Sequence, residues 1–518
     1  MSKWNHPMRS RALRPSAESL EGRQLLAASL TGINSAGDRW TLDLKGPGTL
    51  QVVKQDDASG NPGALDSATE IKSITISGTD SLKTKLIGRV DKSGVGDGRV
   101  FFQELNQSPN IDPLTSIPQG LLSIKMPDFY LGVTDPTVPS TATQPVAAIN
   151  IPNGINSLRF GGVDATKFFG TDPAQGPALN GTSDQFRVTL GLPAQNGTRI
   201  VVNTVTSNGQ AGTAGTSGAT NPPTQDSVIF NVSGRINLFQ ADQINGNTAV
   251  APEAAAFLGG TIVASLPDPT GAITGQIGFI RVGGDATNFT TFTNDKISDF
   301  YVGGETNNLT VLAPNGSRNL KFGRGLDTVS IFSSAIENLY ANRGALSSRV
   351  VSDRMIGNLS IGGDVANSQF LSGYVQNLTS ILSTATTNLT QPNFASAATI
   401  PTPTAQNRGQ ITAFIAGDIT DSVFAASVQP YAQVIDPTDT TLTASDQDAF
   451  LPGGRILAKV EGVIDNTLAT PERPNRAFYA QTVKLKNGPV SPPNVTERPF
   501  GQPTPSRLPG IRRLYRRG

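Results

Sequence analysis

Apolar and polar positions recur along the middle of the chain at a nearly constant step. Segments aligned on Ile277, Ile297, Ser317, Ile336, Ile356 and Val375 start 20, 20, 19, 20 and 19 residues apart. The third position after each start is Ile280, Phe300, Leu320, Leu339, Leu359 and Leu378, and the fifth is Val282, Val302, Phe322, Ala341, Ile361 and Ser380. Apolar residues at the start, third and fifth positions predict a short strand. A helix would need apolar partners at the fourth and seventh positions, where Arg281, Tyr301, Lys321 and Tyr340, then Gly284, Gly304 and Arg324 stand. A glycine pair follows at 283–284, 303–304 and 362–363, as a tight corner requires. The eleventh position is polar (Asn288, Asn308, Thr328, Ser347, Asn367), and a second apolar run starts after it, as in Val311-Leu312 and Ile331-Phe332.

A unit of about twenty residues with short strands cannot bury its own apolar face, whereas stacked copies can. The pattern therefore predicts an all-β fold, a right-handed parallel β-helix (solenoid) with about 20 residues per rung and long loop insertions. A leucine-rich repeat would need a fixed Asn or Cys in its frame and a helical return, and neither is present. Related phrases start at Ile71, Ile155, Ser227, Ile411 and Arg455. They extend the expected solenoid over residues 31–486, with the most regular rungs at 277–381. Segments 55–68, 106–119, 134–148, 207–226, 240–256, 385–408 and 430–452, rich in Pro, Gly, Asn, Thr or Ala, are expected to be loops. Residues 1–30 form a leader, and residues 487–518 a Pro-rich basic tail expected to be disordered.

Composition narrows the chemistry. Only 16% of the 518 residues are charged, so solubility rests on neutral polar groups. There is no cysteine, and the single histidine, His6, lies in the leader, which excludes thiolate and imidazole metal sites and Ser-His-Asp triads from the body. No phosphate-cradling or dinucleotide fingerprint is present, and no cofactor is expected. The net charge of +1 conceals +3 on residues 1–27 and +5 on the last twelve, so the body carries −7. An acidic body with basic ends argues against a nucleic-acid partner. No apolar run approaches the ~20 residues of a transmembrane helix.

The leader contains "RPSAESLEGRQLLA" at 14–27. It resembles the N-terminal export motif of many planctomycete surface and secreted proteins, with core Leu-Glu-x-Arg-x-Leu-Leu. Leu20, Glu21, Arg23, Leu25 and Leu26 match that core, and Gly22 stands where the family often has Pro or Asp. The body resembles right-handed parallel β-helix surface proteins. The resemblance implies an extracellular or cell-surface location. Read on its residues alone, the apolar run 25–30 is shorter than a secretory h-region of about 7–15 residues, which leaves a leader without defined structure as the other reading.

The candidate chemistry lies at the eighth position of each rung, which holds Asp285, Glu305, Gly325, Gly344 and Asp364. Stacking would put Asp285 and Glu305 roughly 5 Å apart, near the carboxyl separation of about 5–5.5 Å in retaining glycosidases. Any two stacked carboxylates meet that distance. The first reading is a solvated corner eased by Arg324 and Arg343. A weak cation site and catalysis by Asp285, Glu305 and Asp364 are its rivals. Tyr301 and Tyr340 point outward with Lys321 between them, either as a small binding stripe or as an ordinary packing column.

The sequence thus points to a non-enzymatic extracellular or cell-surface structural or adhesion protein, with envelope components or polysaccharide as partners. A polysaccharide lyase or glycoside hydrolase on the same scaffold is the alternative. The five arginines of residues 507–518 could bind anionic envelope material or fold back on the acidic body. Deleting these residues is expected to weaken retention on isolated envelopes while leaving the melting transition unchanged. Retention of the full chain should fall as the Debye length shrinks from about 10 Å at 0.1 M salt to about 3 Å at 1 M. Retention of the truncated chain at high salt would place the anchor in the body instead.

Overall fold

In the computed structural model, the first two described strands are joined by a connection too short for anything but a hairpin. The structure describes residues 28–56, 65, 67–94, 96–112, 118–134, 147–168, 185–192, 197–206, 227–245, 261–266, 275–375, 404–405, 408–429, 449–465 and 477–487. The export-motif residues 14–27, the tail from 488 and the central parts of the expected loops lie outside them. Ala28–Ile33 and Arg39–Lys45 flank residues 34–38 and pair antiparallel. Parallel strands need a crossover of a dozen or more residues. Gly37, at φ +82°, turns the chain, and Asn34 Oδ1 accepts the Asp38 N–H at 2.7 Å. Arg39–Lys45 also pairs antiparallel with Lys85–Asp91, as does Thr49–Lys54 with Ile71–Ser77. Alternation buries Trp40, Leu42 and Leu44 on the inner face.

Beyond this start the pairing of the main sheet is parallel. Ile71–Ser77 pairs with Val100–Gln107, and Lys85–Asp91 with Leu121–Val133. Further on, Ile277–Val282, Ile297–Val302 and Ser317–Phe322 pair in sequence with the second halves of Val329–Ala341 and Arg349–Ile361. Gln410–Ile415, Arg455–Val460 and Thr482–Asn487 follow. The register puts Ile280, Phe300, Leu320, Leu339 and Leu359 in one row, and each is at most 2% exposed. A second row stacks Phe370, Phe424 and Phe478 with ring centres 4.8 and 4.9 Å apart, the separation of paired strands themselves. A third row, Leu326, Ala345, Val365, Ile419 and Ile464, starts the short strands of a separate five-stranded sheet.

The polar eleventh position has a backbone cause. Asn288, Asn308, Thr328, Ser347 and Asn367 have φ between 46° and 53°, as does Asp421. Left-handed backbone crowds an L side chain, and Asn and Asp tolerate it best through local hydrogen bonds. Each bends the chain just ahead of its second apolar run.

The architecture inferred from the step needs correction. The described chain is all-β, without a helix and 69% strand, but its parallel strands close into a seven-stranded barrel with extra strands. The expected single right-handed parallel β-helix over 31–486 is overturned. A twenty-residue step encodes which strand pairs in parallel with which; it does not encode whether the sheet closes. Closure removes the edge strands whose unpaired N–H and C=O groups an open sheet exposes. The antiparallel start is likewise not part of a parallel coil. Smaller expectations also fail, and the ends of the expected loops at 106–107, 147–148, 404–405 and 449–450 belong to strands. Val375 does not begin another parallel strand: Tyr374–Val375 pairs antiparallel with Thr404–Ala405, and the row from Ile356 continues at Ile411. Residues 240–245, expected in a loop, belong to the strand Ile236–Asn245, whose polar residues alternate outward with buried Ala241 and Ile244. No helix among the described residues is long and apolar enough to cross a membrane.

Phe300 lies between Phe289 and Phe322, with ring centres 6.4 and 5.7 Å away. Phe300→Ala is therefore expected to cost about 3–5 kcal/mol, against less than about 1 kcal/mol for an exposed substitution such as Lys321→Ala. Urea unfolding midpoints of the two variants provide the comparison.

Candidate functional site

The acids singled out by sequence lie at corners that follow strands. Asp285 Oδ1 accepts the backbone N–H of Glu305 at 2.8 Å, and Asp364 Oδ1 accepts that of Asp418 at 2.8 Å. Asp418 repeats the arrangement on Val463 at 2.7 Å. Each carboxylate lies where a Cβ of the next pass would otherwise be: a side chain at Gly304, Gly417 or Gly462 would overlap the oxygen of Asp285, Asp364 or Asp418. The glycine ahead of the donating residue (Glu305, Asp418 or Val463) is thus the receiving half of a backbone clasp. Glu305 instead pairs with Arg324 Nη1 at 2.5 Å on an open corner. Arg343 makes no ion pair with a described residue. The structure brings Asp285 and Glu305 to adjacent passes, whereas Asp364 lies three passes from Glu305, roughly 14 Å along the stack.

The outward fourth-position column is in register from Arg281 through Tyr301, Lys321 and Tyr340 to Ser360, Phe414 and Lys459. Lys321 Nζ lies 5.9 Å from the Tyr340 ring centre, and Lys459 Nζ lies 5.0 Å from that of Phe414. Such contacts are worth about 0.5–1 kcal/mol at exposed sites. The Tyr340 hydroxyl donates to Asn338 Oδ1 at 3.2 Å, and burial raises its pKa. Tyr301 and Tyr340 are half-buried, so the column packs against itself and also displays cations.

Two positions earlier on the same face runs a ladder of side-chain amides. Asn319 Nδ2 donates to Asp299 Oδ1 at 2.7 Å, Asn338 Nδ2 to Asn319 Oδ1 at 3.0 Å, and Asn358 Nδ2 to Asn338 Oδ1 at 2.8 Å. Asp299 ends the ladder as a pure acceptor and also takes Arg318 Nη2 at 2.7 Å. At the edge of this face a hollow of about 320 Å³ is lined by Lys296, Arg318, Glu337 and Arg354, among others. Among the described residues no group of three or more His, Cys, Asp or Glu side chains could hold a metal ion.

Comparison with protein-family models, with curated proteins and with solved structures finds no match.

Sequence reading missed Asp418, although Gly417-Asp418 repeats the glycine-acid signal of Gly284-Asp285. It also missed the buried polar cluster of the antiparallel start. There Lys54 Nζ donates to the carbonyls of Ile33 and Ser67 (2.8 Å for the latter) and lies 5.8 Å from the Trp40 ring centre. Glu70 accepts the N–H of Ser35 at 3.1 Å and of Phe101 at 3.0 Å. Burial tends to raise the Asp38 carboxyl, but hydrogen bonds led by the N–H groups of Ser93 and Gly98 outweigh it and leave its pKa below the ordinary value. For Glu70 burial wins over its donors, and its pKa is raised.

The Glu70 shift has a defined sign. A carboxyl whose folded pKa exceeds its unfolded one binds more protons in the folded state between the two values, so stability falls as pH rises through that window. Glu70→Gln should flatten this part of the profile. Urea midpoints measured from about pH 4 upward test it, and identical slopes in wild type and variant would remove Glu70 as the cause.

Proposed function

We propose that this chain is a non-enzymatic structural or adhesive protein of the cell surface or extracellular space. The carrying observation is what the corner acids do. Asp285 and Asp364 bind backbone amides of the following pass, and Glu305 binds Arg324. General acid–base or nucleophilic work needs a carboxyl within reach of substrate and of a second group. These acids are each tied to the scaffold, and the three do not converge on one hollow. A broad sheet face of amides, tyrosines and cations suits contact with an extended partner, and envelope components or polysaccharide fit that chemistry. The resemblance of residues 14–27 to a planctomycete export motif supports the location.

The double variant Asp285→Asn, Glu305→Gln separates this reading from a lyase or hydrolase. Asparagine keeps an acceptor oxygen for the Glu305 N–H, and the exposed Glu305–Arg324 pair is worth at most ~1 kcal/mol. The fold should persist, and envelope retention should stay within about twofold of wild type. Neither protein should release reducing ends or unsaturated products from a panel of neutral and acidic polysaccharides. Cleavage by the wild type that the double variant loses would establish the enzyme.

A further inference from the structure

The fourth-position column continues well beyond the regular passes. Its register runs through thirteen positions from Ile87 to Lys486. Six of them are cations, Lys125, Arg159, Arg281, Lys321, Lys459 and Lys486, and none is an acid; the first acid in the column, Asp43, lies across from Ile87 on the antiparallel start and is paired with Arg89. All six cations but Lys459 are exposed. Lys459 pairs with Glu461, whereas the other five make no ion pair with a described residue. Lys125 lies directly beside Arg159, and Lys459 beside Lys486. Like charges directly opposite one another on a sheet are destabilising. Elsewhere on this surface the cations Arg89, Arg318 and Arg324 each have a carboxylate within 4 Å. The column is thus a row of mostly unneutralised positive charge passing from strand to strand, with neighbouring positions about one strand separation apart.

We infer that this row binds a linear acidic polysaccharide laid across the strands, with carboxylate or sulfate groups meeting the cations and sugar rings meeting Tyr301 and Tyr340. The inference rests on the adhesive reading above and names its partner. Charge complementarity selects the class. Arg281 and Lys321 are two steps apart, roughly 10 Å, whereas duplex DNA carries one charge per about 1.7 Å. A widely spaced row on a body of net −7 suits a sparse polyanion and opposes a dense one. The tyrosines between the cations offer ring faces and edges at the same two-step spacing.

The test uses the full chain and immobilised polygalacturonate, with neutral dextran and single-stranded DNA as comparisons. Wild type should bind polygalacturonate in preference to both, and binding should be lost near 1 M salt, where the Debye length is about 3 Å. Arg281→Gln with Lys321→Gln should weaken binding roughly 30-fold, the effect of two cations near an anionic surface. Arg343→Gln, which removes an exposed cation off the row that makes no ion pair with a described residue, should leave it unchanged. Equal binding to dextran, preference for DNA, wild-type affinity in the row variant, or an equal loss in Arg343→Gln would each overturn the inference. The two readings fail separately. Envelope retention by a row variant whose polygalacturonate binding also stays at the wild-type level leaves adhesion standing and removes the row. Shortening of the polymer by wild type, with binding lost in the row variant, supports the row and removes the non-enzymatic reading.

Discussion

Everything in the main body depends on in-register parallel pairing. When one pass lies on the next at the strand separation, each side chain has its counterpart about 4.8 Å away as nearest neighbour. Every position must therefore tolerate something like itself. Aliphatic and aromatic residues do so at a gain, which is why the Ile280 row is buried throughout and the phenyl rings of Phe370, Phe424 and Phe478 lie nearly parallel. Side-chain amides also tolerate it, because each is both donor and acceptor and a column of them can pass hydrogen bonds along itself, as Asn319, Asn338 and Asn358 do. Buried hydroxyls succeed by serving the backbone. Ser368 Oγ accepts the Ser348 N–H at 3.1 Å, and Ser422 Oγ accepts the Ser368 N–H at 3.0 Å.

Charge is the residue property that stacks worst, and the composition follows from that. With 16% charged residues the chain relies on Asn, Thr, Ser and Gly for its surface. A carboxylate survives in a column where something other than another carboxylate faces it. Asp285, Asp364 and Asp418 meet a backbone N–H, made accessible because the next pass carries glycine there. Asp299 meets an arginine and an amide. Where Gly325 and Gly344 occupy the eighth position, the device is simply absent, and the corner is held by backbone bonds such as Ala345 N–H to the Asp364 carbonyl at 2.8 Å.

Pairing was legible in the sequence to the extent that it is local in the repeat. The apolar third and fifth positions identify the buried rows, and the polar eleventh position marks the left-handed bend. The all-β class and the parallel pairing were legible, but closure into a barrel was not, because the step specifies neighbours and is silent on closure. Val375 shows the hazard of extending a period: it sits at the right distance from Ile356 but belongs to an antiparallel pair, with the true parallel partner 55 residues on at Ile411. The antiparallel start was hidden for another reason. Trp40, Leu42 and Leu44 alternate like any half-buried strand, and only the five-residue connection reveals the direction. The corner acids were found by their chemistry, with a solvated corner as the first reading and catalysis as its rival. A stacked acid looks catalytic in a sequence, where the backbone amide that engages it cannot be seen.

Acids and cations fare differently on this scaffold, and the reason is the backbone. At the corners the chain leaves N–H groups pointing along the stack, so a carboxylate finds a donor without help from another side chain. Within a strand the carbonyls that could serve a cation are already paired between passes, and a lysine or arginine there finds none. Lys54 shows the contrast: it is buried, and the Ile33 and Ser67 carbonyls it uses come from the antiparallel start, where the ladder is interrupted. Two sources of relief remain for a mid-strand cation, an aromatic ring above or below it and an anion from outside. Lys321 has the first in Tyr340. Arg281 has Gln240 and Tyr301 as its neighbours in the column and no ion pair with a carboxylate among the described residues. The same stacking rule that ties the acids to the scaffold therefore leaves the positive charge of this face directed outward.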